Sequence, residues 1–214
     1  MTNMQHAELL RDVARYYSEK LSAHGQTPQG VDWNGEGGQQ LRFEQLTKLI
    51  TPTTQTYRIN DIGCGYGALV DFLRDRFPRF SYVGTDISPD MVQAARLRYK
   101  DVPGVQFLEA GAPAAPADFG IASGIFNLRQ GRSDKDWLDY IKSTLDVIDD
   151  TSEQGFSFNC LTSYSDAEKM RPDILYYADP AELFDHCKRN YSRNVALLHD
   201  YDLYEFTILV RKGG

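Results

Sequence analysis

The chain has 214 residues and a formal net charge of −7 at pH 7, from 23 basic and 30 acidic side chains. This length is typical of a single domain with a layered α/β core. No stretch approaches the roughly 20 consecutive apolar residues that a membrane-spanning helix requires. The acidic balance and the lack of a Lys/Arg cluster argue against a nucleic-acid backbone as a partner, because such binding depends on neutralising phosphates.

The cysteines and histidines indicate neither a disulfide framework nor a metal site. Cys64, Cys160 and Cys187 are far apart and odd in number, which favours free thiols in a reducing cytosol. The four histidines lack the close spacing of metal ligands, and the first residues lack the basic flank and apolar core of a secretion signal. We therefore expect a cytoplasmic protein without a metal, and the sequence leaves its oligomeric state open.

The N-terminal segment predicts a helical lid. Apolar residues recur with a helical period over 4–23, and His24-Gly25 ends this helix. A glycine-rich loop follows and holds Trp33, and a second helix is predicted over 39–50. We interpret residues 1–50 as a lid in front of the rest of the domain.

The most informative run of the chain is a strand followed by a glycine-rich loop. The strand ends at Asp61, and the loop has glycine at every second position, at Gly63, Gly65 and Gly67. Glycine is needed where the backbone takes a positive φ or lies against a ligand. A second strand ends in Asp86, where a carboxylate can accept both hydroxyls of a ribose. The run therefore predicts a nucleoside-binding unit.

The spacing of the glycines separates two kinds of nucleoside ligand. A dinucleotide-binding loop has the pattern G-x-G-x-x-G and holds a pyrophosphate at a helix N-terminus. Here the pattern is G-x-G-x-G, and Asp61 before the loop would repel a phosphate but suits an ammonium group. Adenosine joined to an amino acid fits both acids, with Asp86 at the ribose and Asp61 at the α-amino end.

At these residues the chain resembles the class I S-adenosylmethionine (SAM) dependent methyltransferases. Their first motif is similar to Asp61-Ile-Gly-Cys-Gly-Tyr-Gly67, and their second acid matches Asp86 within Gly84-Thr-Asp-Ile-Ser-Pro-Asp-Met91. The resemblance is specific over about residues 57–92, is topological elsewhere, and implies methyl transfer from SAM. Two other functions stay open. One is an NAD-dependent oxidoreductase, against which the glycine spacing argues, and the other is a non-catalytic SAM-binding or assembly subunit.

The rest of the chain alternates strands and helices, which predicts a doubly wound parallel sheet with helices on both faces. The predicted strands are 57–61, 80–85, 105–109, 119–124, 155–161, 194–199 and 204–211. The predicted helices between them are 67–76, 89–99, 134–149 and 180–191. The resemblance implies seven strands that close with a C-terminal antiparallel hairpin. We expect one α/β domain over 1–214, with its core in 57–214.

Ligands of such sheets lie at the carboxyl ends of the strands, where strand order reverses. The resemblance implies SAM contacts by the residues that follow the first four strands, namely Gly63, Cys64, Gly65, Gly67, Ile87, Gly111, Ala112 and Ser123. Glu109 is an alternative contact for the adenine, and ordinary turn chemistry is an alternative role for Ser123. Trp33 is predicted to cover the ligand and Arg42 to bind the methionine carboxylate. The alternatives are a tryptophan that anchors its loop and a solvated arginine.

The acceptor site is predicted from residues after the later strands, and the lack of a basic surface favours a small-molecule acceptor. A base assists methyl transfer to a hydroxyl, phenol or amine, and histidine is the side chain that most often serves as one. His199 is predicted at a strand tip. We therefore predict His199 as a general base, with Tyr176 as a second catalytic candidate. Substrate contacts are predicted for Asn127, Tyr164, Tyr177 and Asp200. The alternatives are a structural histidine, a turn asparagine and tyrosines that cap the core.

Overall fold

The computed structural model describes residues 3–33, 35–51 and 55–213, with the backbone alone for residues 3–7. Its strands are β1 (Tyr57–Ile62), β2 (Phe80–Asp86), β3 (Val105–Glu109), β4 (Ala117–Ala122), β5 (Ser152–Leu161), β6 (Asn194–Leu198) and β7 (Glu205–Arg211). Its α-helices are α1 (Asn3–His24), α2 (Glu36–Thr47), α3 (Ala68–Arg76), α4 (Pro89–Arg98), α5 (Asp134–Asp150) and α6 (Pro180–Asn190). Short 3-10 helices lie at Pro28–Val31 and Ala167–Lys169.

The strands form one sheet in the order β3-β2-β1-β4-β5-β7-β6. β7 is antiparallel to its neighbours β5 and β6, and the other paired strands are parallel. This confirms the predicted seven-stranded, mostly parallel sheet with a C-terminal antiparallel hairpin. β1 and β4 lie side by side, and the chain proceeds from them toward opposite edges, so strand order reverses between their carboxyl ends. In such sheets a ligand binds at this point.

Helices cover both faces of the sheet, as predicted. On one face α2, α3 and α4 bury side chains such as Phe43, Phe72 and Val92 against the strands. On the other face α1, α5 and α6 bury side chains such as Leu9 and Ile141. Each large apolar side chain that is buried contributes roughly 1.5–3 kcal/mol. These two layers therefore hold the strands, and with them the loops at the carboxyl edge, in fixed positions.

The connection from β3 to β4 is short for a parallel crossover. It consists of residues 110–116 and contains no helix, whereas parallel strands usually need a dozen or more residues between them. It crosses the sheet face that carries α5, where the Asn60 side chain donates a hydrogen bond to the Ala115 carbonyl at 3.0 Å. No other helix of the described residues therefore covers the side of α5 that faces this connection.

Two elements begin three residues earlier than predicted. α2 begins at Glu36, because burial of its apolar side, including Phe43, outweighs the low helix propensity of its two glycines. β5 begins at Ser152, and its register against β4 shifts between Ala117 and Phe119. A strand irregularity of this kind is set by pairing with the neighbouring strand, which the local sequence pattern does not reveal.

Neither a membrane-spanning helix nor a metal-binding cluster is found in the described part of the chain. No helix there is long and apolar enough to cross a bilayer, and no three His, Cys, Asp or Glu side chains are grouped to hold a metal ion. Cys64, Cys160 and Cys187 are buried and free. The Thr/Pro-rich sequence between α2 and β1 predicts a turn, and its residues 52–54 lie outside the described residues.

Candidate functional site

A cavity of about 520 Å³ lies at the carboxyl ends of β1, β2 and β4. Its wall comes from the loops after these strands and after β3, from Val31 and Trp33, and from one side each of α1 and α5. This volume falls within the roughly 300–1,000 Å³ of small-molecule sites. A smaller cavity of about 40 Å³ adjoins it and shares Trp33, Gly63, Gly65 and Ser123 with it. The cavity thus lies where the strand order predicts a ligand.

The glycine-rich loop after β1 forms part of the wall of both cavities. Gly63 and Gly65 have φ angles of 71° and 55°, which glycine adopts at no steric cost. A Cβ on Gly63 would overlap the side chain of Ile125. The amides of Gly63 and Cys64 donate hydrogen bonds to the Thr85 carbonyl at 2.8 and 3.0 Å. The loop is therefore fixed to the end of β2 with bare backbone toward the cavity.

Cys64 and Gly67 shape this loop without lining the larger cavity. Gly67 is the N-cap residue of α3. The Cys64 side chain is buried, and burial raises the pKa of its thiol well above the ordinary value. Cys64 therefore contributes packing and backbone to the site and stays a neutral thiol.

Asp86 is fixed at the end of β2 with its carboxylate beside the cavity. Its two oxygens accept hydrogen bonds from the amides of Gly65 at 2.9 Å and Ser88 at 2.8 Å. Burial raises the pKa of the Asp86 carboxyl, and these amides act in the opposite direction. A carboxylate has about four acceptor sites, so these two amides leave acceptor capacity for a hydroxyl group of a ligand. This is the geometry that a ribose-binding acid requires.

Asp61 is buried at the end of β1 and lines the smaller cavity. The Tyr82 hydroxyl donates a hydrogen bond to its Oδ2 at 2.6 Å. Burial raises the pKa of the Asp61 carboxyl to about 7, the negative charge of Asp86 acts in the same direction, and the Tyr82 hydrogen bond opposes them. An opposite charge nearby favours the ionised form. The smaller cavity therefore presents a carboxyl group that a cationic ligand can ionise.

The side of the larger cavity beyond Asp86 is apolar. Ile87 lines it together with Gly111 and Ala112 of the β3–β4 connection. Glu109, the alternative contact for an adenine, is exposed and outside the lining. A flat ring at this side would meet apolar side chains and backbone groups.

Trp33 lines both cavities and packs against the loop after β4. A Cβ on Gly124 would overlap its indole ring, so the glycine permits this close approach. The Arg42 guanidinium stacks on the same indole, with 3.8 Å between its central carbon and the ring centre. Stacking of a guanidinium on tryptophan is worth roughly 0.5–2 kcal/mol, so Trp33 is held between Arg42 and Gly124.

The structure gives Arg42 a different partner from the predicted methionine carboxylate. Its Nε and Nη2 donate hydrogen bonds to Glu205 at 2.8 and 2.6 Å. The Asn159 side chain donates to the same carboxylate at 2.6 Å and accepts a hydrogen bond from the Gly124 amide at 2.8 Å. Arg42 lines neither cavity. It belongs instead to a buried network that supports Trp33 and the loop after β4.

The two polar residues predicted after β4 have different surroundings. Ser123 lines both cavities, and its buried Oγ has no hydrogen-bond partner among the described residues. Because buried hydroxyls are usually satisfied, this oxygen is a candidate ligand contact. Asn127 is buried outside the cavity lining, and its Oδ1 accepts a hydrogen bond from the Leu161 amide at 3.0 Å. Its contacts fit the alternative role of fixing a turn.

His199 and Asp200 lie outside the cavity lining. They follow β6, which is the edge strand of the sheet. Three strands, β4, β5 and β7, lie between β6 and the point where strand order reverses. The His199 side chain is exposed, and its ring centre lies 5.9 Å from that of Tyr164 and 6.1 Å from that of Phe206. The structure therefore does not bring the predicted general base to the cavity.

The three predicted tyrosines also lie outside the cavity lining. Tyr164 is 74% exposed, and the Tyr177 hydroxyl accepts a hydrogen bond from the Arg171 amide at 2.9 Å. Tyr176 is buried in the core on the α5 face, and burial raises the pKa of its phenol to about 12. Tyr176 fits the alternative role of a tyrosine that caps the core, whereas Tyr164 lies on the surface.

α1 and α5 supply cavity walls that the sequence pattern did not single out. The lining residues on these helices are Leu10, Val13, Tyr17, Tyr140, Ser143, Thr144, Val147 and Ile148. One feature of the sequence could have indicated the α5 wall. The apolar side of this helix extends as far as Val147, which is 39% exposed in the structure. The sequence gives no indication that the short β3–β4 connection leaves this flank uncovered.

Comparison with known proteins agrees with this geometry. A family model described as a methyltransferase domain matches residues 60–150. Rv1506c of Mycobacterium tuberculosis, which carries the provisional name of a methyltransferase, is 56% identical over 165 residues, or 77% of this chain and 99% of that protein. Trans-aconitate 2-methyltransferase of Afipia carboxidovorans is 34% identical over 109 residues, and the match covers 45% of this chain and 40% of that enzyme.

Two solved structures are similar over nearly the whole chain. The complex of DhpI with S-adenosylhomocysteine (SAH) has a TM-score of 0.66 at 14% identity and covers 96% of this chain and 97% of that one. The N-methyltransferase NodS of Bradyrhizobium japonicum with SAH has a TM-score of 0.65 at 14% identity, with coverage of 94% and 98%. At such identities the likeness concerns the fold.

The relationship to Rv1506c extends over almost all of that protein. The seven-stranded sheet with its C-terminal antiparallel hairpin is the fold that the resemblance implied. The G-x-G-x-G loop and the two carboxylates that carried the resemblance lie at the ends of β1 and β2. This chain belongs to the class I SAM-dependent methyltransferases.

Proposed function

We propose that this methyltransferase acts on a small-molecule acceptor and binds SAM in the cavity at the ends of β1, β2 and β4. One observation carries the proposal: the Asp86 carboxylate is fixed by the Gly65 and Ser88 amides beside a cavity of about 520 Å³. Walls from α1 and α5 bound this cavity, and its size supports an acceptor of metabolite dimensions. The net charge of −7 offers no support for a nucleic-acid substrate.

The residues around the cavity fit SAM at both of its ends. Asp86 would accept the ribose hydroxyls, and Ile87 would pack on the adenine. Asp61, in the adjoining small cavity, would bind the α-amino group. The hydroxyl of Ser123, which has no partner among the described residues, would gain one from the bound ligand.

The chain contributes mainly position to the reaction. When bound, SAM supplies a methyl group activated by its sulfonium. Holding donor and acceptor in line can lower the barrier by roughly 7–11 kcal/mol. Tyr17 lines the cavity, and burial raises the pKa of its phenol, so it remains protonated and can donate a hydrogen bond to an acceptor. No histidine or lysine lines the cavity in the described part of the chain, which supports positioning over general-base catalysis.

Thermal unfolding with and without ligands tests this proposal. SAM and SAH at about 100 times their dissociation constants should each add roughly 2.7 kcal/mol to the free energy of unfolding. NAD at the same concentration should produce no shift. A shift with NAD alone would contradict the SAM site, and transfer of a labelled methyl group to an acceptor would separate the enzyme from a non-catalytic SAM-binding subunit.

Asp86→Ala is expected to weaken SAH binding about 100-fold, because hydrogen bonds to a charged group contribute about 1.5–3 kcal/mol each. Isothermal titration calorimetry measures the change. Gly65 and Ser88 donate to different oxygens of Asp86, so Asp86→Asn keeps an acceptor for only one of these amides. It replaces the side chain with one of similar shape and should also bind SAH more weakly than the natural protein. Asp90→Ala, an exposed acid in the first turn of α4, serves as the control. Equal affinities of the Asp86 and Asp90 variants would exclude Asp86 as the ribose contact.

A further inference from the structure

The wall of the larger cavity contains no cationic side chain among the described residues. Asp86 is the one charged residue of that lining, and the adjoining small cavity adds Asp61. Both acids have roles toward SAM in the proposed function. In the described part of this wall, an acceptor therefore meets neither a cation nor a further free carboxylate.

Arginines on neighbouring elements are bound to carboxylates outside the cavity. Arg42 is held by Glu205 at 2.6 Å, and Arg132, just before α5, pairs with Asp12 of α1 at 3.1 Å. Neither arginine is among the lining residues. These ion pairs hold both arginines outside the cavity lining.

The wall contributed by α5 is uncharged and reaches the surface. Its hydroxyl side chains Ser143 and Thr144 both donate hydrogen bonds to the Tyr140 carbonyl at 2.9 Å. Tyr140 and Val147 both line the cavity, and seven residues of helix separate them, or about 10 Å. Val147 is 39% exposed, and Ser143 beside it is exposed as well. Pro113 of the β3–β4 connection lines the cavity too. The cavity therefore has a lateral opening between α5 and this connection, edged by an apolar side chain.

This surface selects strongly against acceptors with several negative charges. Moving an ionised carboxylate away from water without a partner costs several kcal/mol. The sulfonium of a bound cofactor could offset one such charge at most. A molecule with two or more further carboxylates would leave them facing apolar side chains and the Asp86 carboxylate.

We propose that the acceptor is an uncharged molecule whose apolar body lies along α5 and enters between α5 and the β3–β4 connection. The inference rests on the proposed function, because it names the acceptor class of the same site. It separates this chain from the trans-aconitate 2-methyltransferases that it partly matches, whose named substrate is a tricarboxylate.

The first test uses the full chain saturated with SAH, so that the cofactor region is filled. N-phenyl-1-naphthylamine, a neutral apolar dye that fluoresces in apolar sites, should bind saturably with one site per chain. Trans-aconitate at millimolar concentration should neither bind in calorimetry nor displace the dye. Binding of trans-aconitate, displacement of the dye by it, or the absence of saturable dye binding would each overturn the inference.

A matched pair of variants locates the dye. Val147→Asp places a carboxylate on the α5 wall and should weaken dye binding about tenfold or more, with the SAH-induced thermal shift unchanged. Leu97→Asp alters a leucine of α4 that is 65% exposed and outside the cavity lining, and should leave dye binding unchanged. Equal losses in both variants, or no loss in Val147→Asp, would contradict the proposed path.

The two proposals fail in distinguishable ways. If the natural protein shows no thermal shift with SAH, the proposed SAM site is wrong. If the shift is present but the dye result is negative, the acceptor class alone is wrong.

Discussion

Glu205→Ala is expected to lower the free energy of unfolding by about 3–5 kcal/mol, because it leaves the Arg42 guanidinium buried without a carboxylate. Glu205 is 1% exposed and receives two hydrogen bonds from Arg42 and one from Asn159. Domains have net stabilities of only about 5–15 kcal/mol. Chemical denaturation should therefore detect the loss without difficulty.

An exposed ion pair of the same chain provides the control. Arg76 and Glu44 are 3.0 Å apart, with side chains 43% and 46% exposed. Glu44→Ala should cost less than about 1 kcal/mol, as is usual for surface pairs. Replacing both buried partners, in Arg42→Met with Glu205→Leu, should cost less than Glu205→Ala alone because no charge is left unpaired. If the Glu205→Ala protein is as stable as the Glu44→Ala protein, water still reaches the Arg42–Glu205 pair, and the expected loss is contradicted.

Asp61→Asn is expected to stabilise the ligand-free protein at pH 8. The pKa of the Asp61 carboxyl is about 7 in the folded protein, against an ordinary value of 3.8. Between these values the unfolded chain is ionised while the folded protein keeps its proton, so stability falls as pH rises from about 4 to 7. A pKa difference of about three corresponds to roughly 4 kcal/mol at most. Asparagine stays neutral and can still accept the Tyr82 hydrogen bond, so the variant should lose this dependence.

The measurement is the melting temperature from pH 4 to pH 8, which should change by roughly 2–4 °C per kcal/mol for a chain of this length. The natural protein should become less stable over this range relative to the variant. Equal melting temperatures at pH 8 would mean that Asp61 carries no burial penalty.

The same substitution should weaken SAH binding about tenfold or more, because the ligand ammonium loses a charged partner. In the natural protein, affinity should rise with pH up to about 7 and then level off, since the bound state requires ionised Asp61. The variant should show a flat profile. Tyr82→Phe removes a hydrogen bond that lowers the pKa of Asp61, so its plateau should begin at a higher pH. A flat profile for the natural protein would contradict the assignment of Asp61.

The cofactor side of the site follows from the sequence because local patterns determine it. Asp61 and Gly63 are neighbours in the chain, and a strand, a helix and a second strand lead from them to Asp86. Parallel pairing brings the carboxyl ends of those two strands to the same edge. The glycine motif, the order of strand, helix and strand, and the position of both acids at the carboxyl edge of the sheet can therefore all be predicted from the sequence.

The acceptor side depends on long-range placement that local patterns do not contain. His199 follows β6 directly, one position beyond the strand that was predicted to include it, and β7 lies between β6 and β5. β6 is therefore two strand spacings, of about 4.8 Å each, from β5. Arg42 meets Glu205 across 163 positions of sequence. In both cases the residue type fitted the predicted chemistry, and its partners in the folded chain gave it another role.

The seven-residue β3–β4 connection has limited slack. Its ends are separated by three strand spacings, about 14 Å, and by the length of a strand, about 17 Å, which combine to about 22 Å. Eight steps along a fully extended chain span at most about 29 Å, so a deletion of more than about two residues would pull β4 out of register. An insertion meets no such limit and would lie over the lateral opening. A change in the length of the β3–β4 connection would therefore alter which acceptors can enter the cavity. Such a change would leave Asp61, Asp86 and the glycine-rich loop as they are.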